Sequence, residues 1–371
     1  FVLSGSSTVD VTFAAFVNCA LVAFAIGVSR REDLEGTRIT SFAFFIFSAL
    51  AFLTKGPAGL MLIALPICAF CLIEKNLACL RTLNWWIGTI LFCAISVPWF
   101  YLVEKAVPGS NWYFFVHENF LRFLVKDYGG RHGAAHVHSY GYIWLMLLIS
   151  IFPWSALLVR DLFFSAKSFS SFKYNSETRW PIYALFCGLA PMVFFTFARS
   201  ILPAYVLPGI PGLSIFLGYV IYEISLPQSK ISISRFSRGY YPNTAVLASS
   251  MVVVMLAGLL VAMPFIEPNK SASAILEVIA DESRGTDTVV GVTTANNYSP
   301  FWTSGAYEQE LSRPLKIAFA DQSDLRNAKF KNLIVRDGEA YNFLNEHRES
   351  YREVASRGKW RWYTRNTQAT N

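Results

Sequence analysis

Two short turns between long apolar runs each hold a single cation close to a proline. Lys55 stands in Leu53-Thr54-Lys55-Gly56-Pro57, and Arg199 in Ala198-Arg199-Ser200-Ile201-Leu202-Pro203. A fixed cation at such a place suits an anionic headgroup, above all a phosphate, which a guanidinium grips in bidentate fashion. The plainer role for Lys55 is a lysine at a helix end, snorkelling to the water boundary. A third cation, Arg122, follows Glu118 by four residues, so a helix would place the two on one face. They form either a surface ion pair worth about 0.3–0.5 kcal/mol, or a metal- or acceptor-binding carboxylate beside a phosphate-binding arginine. The surrounding segment, 103–139, also holds Glu104, His117, Asp127, Arg131, His132, His136 and His138. His136-Val137-His138 offers two imidazoles to a metal, but alternate spacing is a weak metal pattern and a lone loop histidine is usually just solvated. Asp10 is the sole ionisable side chain of its segment. It suits a helix N-cap, as Asp often does, and that alone would explain it.

The elements that must carry these residues are apolar. Stretches at 11–28, 40–53, 57–73, 84–102, 140–158, 180–198, 203–222 and 244–263 contain no Asp, Glu, Lys or Arg. A membrane-spanning helix needs about 20 such residues. The second and third runs are short, so they extend into their flanks or meet in a hairpin at Lys55-Gly56-Pro57, where proline suits the first helical position. Hydrophobic residues make up 54% of the 371 and charged residues 15%, against about 25% charged in soluble domains. The sequence therefore predicts an α-helical polytopic membrane protein: a membrane domain over 1–263 with about eight spans, and a small C-terminal α/β domain over 264–371. In that tail, 287–292 and 332–335 read as strands, and 271–283 and 338–348 as helices.

The net charge of +7 records orientation more than a nucleic-acid partner. Loops 29–39, 74–83, 159–179 and 223–243 hold twelve Lys and Arg, and the alternate loops hold six. The positive-inside rule puts the first set in the cytoplasm, and the Lys55 turn, the 103–139 loop and the tail outside. The tail has fourteen basic and fourteen acidic residues and adds nothing to the excess. Neither a G-x-G-x-x-G after a strand nor a G-x-x-x-x-G-K-[ST] occurs, so no nucleotide cofactor is expected. Cys68-Ala69-Phe70-Cys71 has redox spacing but lies inside an apolar run, which favours core packing.

Seven features occur in order: Asp10 before a span, Thr54-Lys55-Gly56-Pro57, Val97-Pro98-Trp99, Glu118-Asn119-Phe120-Leu121-Arg122-Phe123, His136 before Tyr140 and Tyr142, Phe152-Pro153-Trp154, and Arg199-Ser200-Ile201-Leu202-Pro203-Ala204-Tyr205. Over 1–225 this resembles the GT-C membrane glycosyltransferases of the 4-amino-4-deoxy-L-arabinose transferase and protein O-mannosyltransferase superfamily, and the bacterial arabinose-transferase-like branch more closely. The resemblance implies an enzyme of the cytoplasmic (inner) membrane that moves a sugar, with inversion, from a polyprenyl-phosphate carrier to a lipid A, glycan or protein acceptor at the outer face. Its partners would be that donor, the acceptor and membrane lipids. It implies that Lys55, Arg122 and Arg199 bind the donor phosphate. Asp10, Glu118 and His136 would lie near the acceptor or a metal, with Glu118 and His136 as ligands if a divalent metal takes part. Two departures stand out. Val137 follows His136 where the arabinose transferases have Arg, and Asn119 stands where they have a histidine. The family's catalytic acidic residue falls in a first outside loop upstream of Phe1, so the resemblance implies that these 371 residues alone lack activity.

Two other classes stay open at this point. A transporter or flippase for an anionic lipid or solute usually keeps ionisable groups near the midplane in broken helices, whereas here they gather at one rim. A non-catalytic sensor would use the tail as its binding module.

Overall fold

The computed structural model describes residues 9–124, 138–152, 154–155, 174–225, 249–250, 252–254, 256–258, 260–261, 273–282, 288–292, 315–319, 330–336 and 351–365. The chain divides into two compact units, Phe1–Thr244 and Ala245–Asn371. The boundary thus falls before the last apolar stretch, where the sequence reading set it after that stretch, at 263/264.

The first unit is helical: α1 (Val9–Ser29), α2 (Leu34–Lys55), α3 (Pro57–Glu74), α4 (Trp85–Ala106), α5 (Tyr142–Ser150), α6 (Arg179–Phe195) and α7 (Ile210–Ser225). A 3-10 segment, Pro203–Gly209, leads directly into α7. Among the described residues five helices are long and apolar enough to cross a membrane, namely α1 to α4 and the joined Pro203–Glu223, with Arg179–Phe195 a shorter apolar helix. The two short runs of the sequence do lengthen into their flanks, to 22 residues in α2 and 18 in α3. Part of the expected fifth span and half of the eighth lie outside the described residues.

Local chemistry sets the helix ends. The Asp33 carboxylate accepts the Gly36 N–H at 3.1 Å and starts α2. Gly56 ends α2 with φ +63°, where a side chain would be strained, and Pro57 opens α3 one residue later. In lipid, helices associate through close packing and hydrogen bonds rather than a hydrophobic drive, and both are present. Phe70, fully buried, stacks on Trp180 at 5.8 Å and meets Tyr183 edge-on at 5.2 Å. A Cβ added to Gly209 would lie 2.3 Å from the Gly188 carbonyl oxygen, so only glycine lets the 3-10 segment sit this close to α6. Asn18 of α1 donates to the Pro208 carbonyl at 3.0 Å and fixes the same segment from the other side.

The second unit holds a five-stranded sheet in the order β2-β1-β3-β5-β4, from β1 (Thr288–Val292), β2 (Leu315–Phe319), β3 (Asn332–Arg336), β4 (Tyr351–Arg357) and β5 (Trp360–Arg365). β1 runs parallel to β2 and β3, and the remaining pairs are antiparallel. The helix α8 (Ser273–Glu282) buries Ile275, Leu276 and Ile279 in a core with Ile334, Trp360 and Trp362. The expected strands at 287–292 and 332–335 and the helix at 271–283 are present; 338–348 lies outside the described residues. β2 and the β4–β5 hairpin were not anticipated.

Candidate functional site

The site begins with the α2–α3 turn. Lys55 is the last residue of α2, and Gly56 is pressed so near the rim that an added Cβ would lie 2.9 Å from the Phe114 ring. The Lys55 ammonium forms an ion pair with Asp10 of α1, and the two side chains are 22% and 18% exposed. It also lies 4.3 Å from the ring centroid of Tyr205 in the 3-10 segment and 5.3 Å from that of Phe13. Three elements far apart in sequence therefore converge on one ammonium. Asp10 sits in the first turn of α1, with its carboxylate directed to Lys55. A half-desolvated pair flanked by aromatic faces gains from cation–π attraction of about 0.5–2 kcal/mol per ring. It restrains the lysine at the edge of the apolar region.

Across from the turn lies the rim segment, 110–124. Glu104 organises its start: the carboxylate accepts the Gly109 N–H at 2.7 Å and the Asn111 N–H at 2.9 Å. The chain then winds as a π-helix over Tyr113–Leu121, a rare form that often marks functional positions. Its wider turn replaces the expected four-residue spacing with five. The Tyr113 hydroxyl donates to the Glu118 carboxylate at 2.9 Å, and Asn119 donates its side-chain N–H to the Phe114 carbonyl at 2.9 Å. The His117 ring stacks on Tyr113 at 5.5 Å, and its Nδ1 is buried without a hydrogen-bond partner among the described residues.

Between the turn and the rim opens a cavity of about 620 Å³. Lys55, Glu118, Asn119, Ser200 and Tyr205 supply polar groups, while Phe114, Phe115, Phe120, Phe123, Phe194 and Phe195 make most of the wall aromatic. Such a space suits an amphiphile, with the apolar chain against the phenylalanines and the polar end at Lys55.

The residues singled out from sequence divide accordingly. Lys55 and Glu118 both line this cavity, and Asp10 is tied to it through its ion pair with Lys55. Arg199 does not line it: the backbone N–H donates to the Phe123 carbonyl at 3.0 Å, and the guanidinium lies 3.8 Å from the Tyr140 ring centroid. Arg199 thereby stitches the rim to the 3-10 approach, and its carbonyl accepts the His138 N–H at 3.1 Å. Arg122 belongs to the helical turn Arg122–Leu124, but its side chain, like all of His136, is outside the described residues. No group of three or more His, Cys, Asp or Glu gathers as a metal site among the described residues, and Glu118 is the one proposed metal ligand they include. Sequence reasoning missed Tyr113 and the part played by Tyr205. The rim's aromatic run Trp112-Tyr113-Phe114-Phe115 and the quoted Pro203-Ala204-Tyr205 were the available signals. Cys71 finds a neighbour in Cys79, at 2.9 Å between sulfurs, rather than in Cys68.

No family model matches the chain. It is similar to the undecaprenyl phosphate-alpha-4-amino-4-deoxy-L-arabinose arabinosyl transferase of Shewanella sediminis, 26% identical over 211 residues, 57% of this chain and 36% of that protein. A second such transferase, number 1 of Pseudomonas fluorescens Pf-5, is 26% identical over 257 residues, 69% of this chain and 42% of that protein. The chain thus spans well under half the length of these curated relatives. Among solved structures, that of ArnT from Cupriavidus metallidurans bound to undecaprenyl phosphate aligns with a TM-score of 0.65 at 20% identity, over 100% of this chain and 77% of that one. The chain therefore shares the fold of that ArnT structure, as the order of motifs suggested.

Proposed function

We propose that this chain supplies the donor-phosphate half of a membrane glycosyltransferase, one that moves a sugar from a polyprenyl-phosphate carrier to a lipid A, glycan or protein acceptor. The observation that carries the reading is the Lys55 ammonium at the polar edge of a cavity walled by phenylalanines, which matches a ligand built of an isoprenoid chain ending in phosphate. The named relatives are transferases of a sugar carried on undecaprenyl phosphate, which supports the same class of donor.

In this reading a general base takes the acceptor hydroxyl proton and the oxygen attacks the anomeric carbon from the face opposite the phosphate. The bond to the phosphate oxygen breaks with inversion, and negative charge builds on the departing lipid phosphate. Lys55 stabilises that charge, held ready by Asp10 and Tyr205. Lys55 against its partner Asp10 and the cavity's Glu118 sums to −1, so a phosphate also needs further cations, for which Arg122 and Arg199, neighbours in sequence of the wall residues Phe123 and Ser200, are the candidates. Glu118, oriented by Tyr113, serves the acceptor side; a divalent metal, if used, would draw on Glu118 and His136, and no step above requires it. The catalytic base is not assigned. The twelve-to-six distribution of Lys and Arg supports an outer-face site in the cytoplasmic membrane with the tail on that same side.

The test is sugar transfer from polyprenyl phosphate by membranes that carry the full-length protein. Lys55→Ala should reduce transfer about 10²–10³-fold at unchanged membrane level, and normal transfer would overturn the assignment.

A further inference from the structure

At the far end of α3, a helix length from Lys55 or about 27 Å at 1.5 Å per residue, a second cavity of about 430 Å³ opens. Ser29 and Arg31 at the end of α1, Glu74 and Asn76 at the end of α3, and Arg179 and Trp180 at the start of α6 form its walls. In contrast to the first cavity, the wall is predominantly polar. Arg179 is committed: its Nε lies 2.7 Å from Glu74 Oε1, and the guanidinium stands 5.2 Å from the Trp180 ring centroid and 5.3 Å from that of Phe70. The Tyr174 hydroxyl donates to the same Glu74 oxygen. Arg31 is exposed and has no ion-pair partner among the described residues. The Asn76 side-chain carbonyl accepts the Ala78 N–H at 2.8 Å, which leaves the amide NH2 as a donor. Two arginines against one glutamate leave a single positive charge. Beside Glu74 and Asn76, Leu72 and Leu77 are 76% and 69% exposed, an apolar border next to a polar hole.

We propose that this cavity binds the phosphodiester headgroup of a membrane glycerophospholipid in the leaflet opposite the Lys55 site. One phosphodiester carries one negative charge, which the surplus cation balances. Arg31 and the Asn76 amide donate to its oxygens, Arg179 is held in place by Glu74, and the acyl chains descend along Leu72 and Leu77. Trp180 and Tyr174 occupy the boundary level that such aromatic side chains favour. The proposal is independent of the transfer reading, since no residue of the first cavity takes part.

The chain purified in a non-ionic detergent is titrated with phosphatidylglycerol, with diacylglycerol of the same chains, and with inorganic phosphate, and bound lipid is counted by native mass spectrometry. Phosphatidylglycerol should be retained and diacylglycerol not. Arg31→Ala, an exposed position whose loss leaves the packing intact, should weaken retention about tenfold, the loss of one hydrogen bond to a charged group; Arg31→Lys should recover part of it. Equal retention of diacylglycerol, or no effect of Arg31→Ala, overturns the proposal. Displacement of the lipid by excess inorganic phosphate would overturn the lipid source in favour of a free anion.

Discussion

The two ends of α3 each hold a cation–carboxylate pair, Lys55 with Asp10 at one and Arg179 with Glu74 at the other. The pairs are similarly buried, with side chains 22% and 18% exposed in the first and 31% and 18% in the second. Both cations also rest on aromatic faces. What separates the two regions is the wall beyond the pair, which is phenylalanine at Lys55 and polar side chains at Arg179. An ion pair at a membrane boundary thus says little about role by itself. A cavity with an apolar wall and a charged edge accommodates a chain together with its phosphate, whereas a polar cavity accommodates only a headgroup.

Four substitutions would break or sharpen that contrast. The largest effect is expected from Lys55→Ala in the full-length protein, with transfer reduced about 10²–10³-fold, the range for removing one transition-state donor, measured at matched membrane levels. Gly56→Ala adds a Cβ 2.9 Å from the Phe114 ring at φ +63°. It should cost about 1–3 kcal/mol, read as a lower thermal midpoint together with reduced transfer, because the turn that aims Lys55 must shift. Glu74→Gln leaves Arg179 half-buried without its counterion. A cost of about 1 kcal/mol, discounted for exposure, should lower the midpoint while transfer stays within error. A drop in transfer comparable to that of Lys55→Ala would erase the distinction between the ends. Tyr113→Phe removes the hydroxyl that orients Glu118, an exposed contact worth about 0.5 kcal/mol, and should change transfer about twofold without altering donor binding.

Local chemistry made some of this legible in advance. Gly56-Pro57 announces a helix end followed by a helix start, and that turn is where the structure places Lys55. The uninterrupted apolar runs gave the helices, and the apolar strands at 288–292 and 332–336 stood out for the same reason. The partners of Lys55 were not legible, because Asp10 lies 45 residues away and Tyr205 is brought in by a glycine contact between α6 and the 3-10 segment. Nor was the π-helix: a four-residue spacing from Glu118 pointed to Arg122, while the wider winding gave Glu118 to Tyr113, five residues back. In the tail, the β4–β5 hairpin was hidden by its charged residues. Its signal was Gly358, at φ +58° in a two-residue turn, with Trp360 and Trp362 alternating inward.

On the proposed reading the Lys55 cavity holds a polyprenyl phosphate by both chain and phosphate. Equilibrium binding of polyprenyl phosphate and of the uncharged polyprenol to the wild-type chain and to Lys55→Ala tests it directly. The account predicts that Lys55→Ala weakens the phosphate form about 10–100-fold, as for loss of a charge-assisted contact, and leaves polyprenol binding unchanged. Equal affinity of both proteins for polyprenyl phosphate would contradict it.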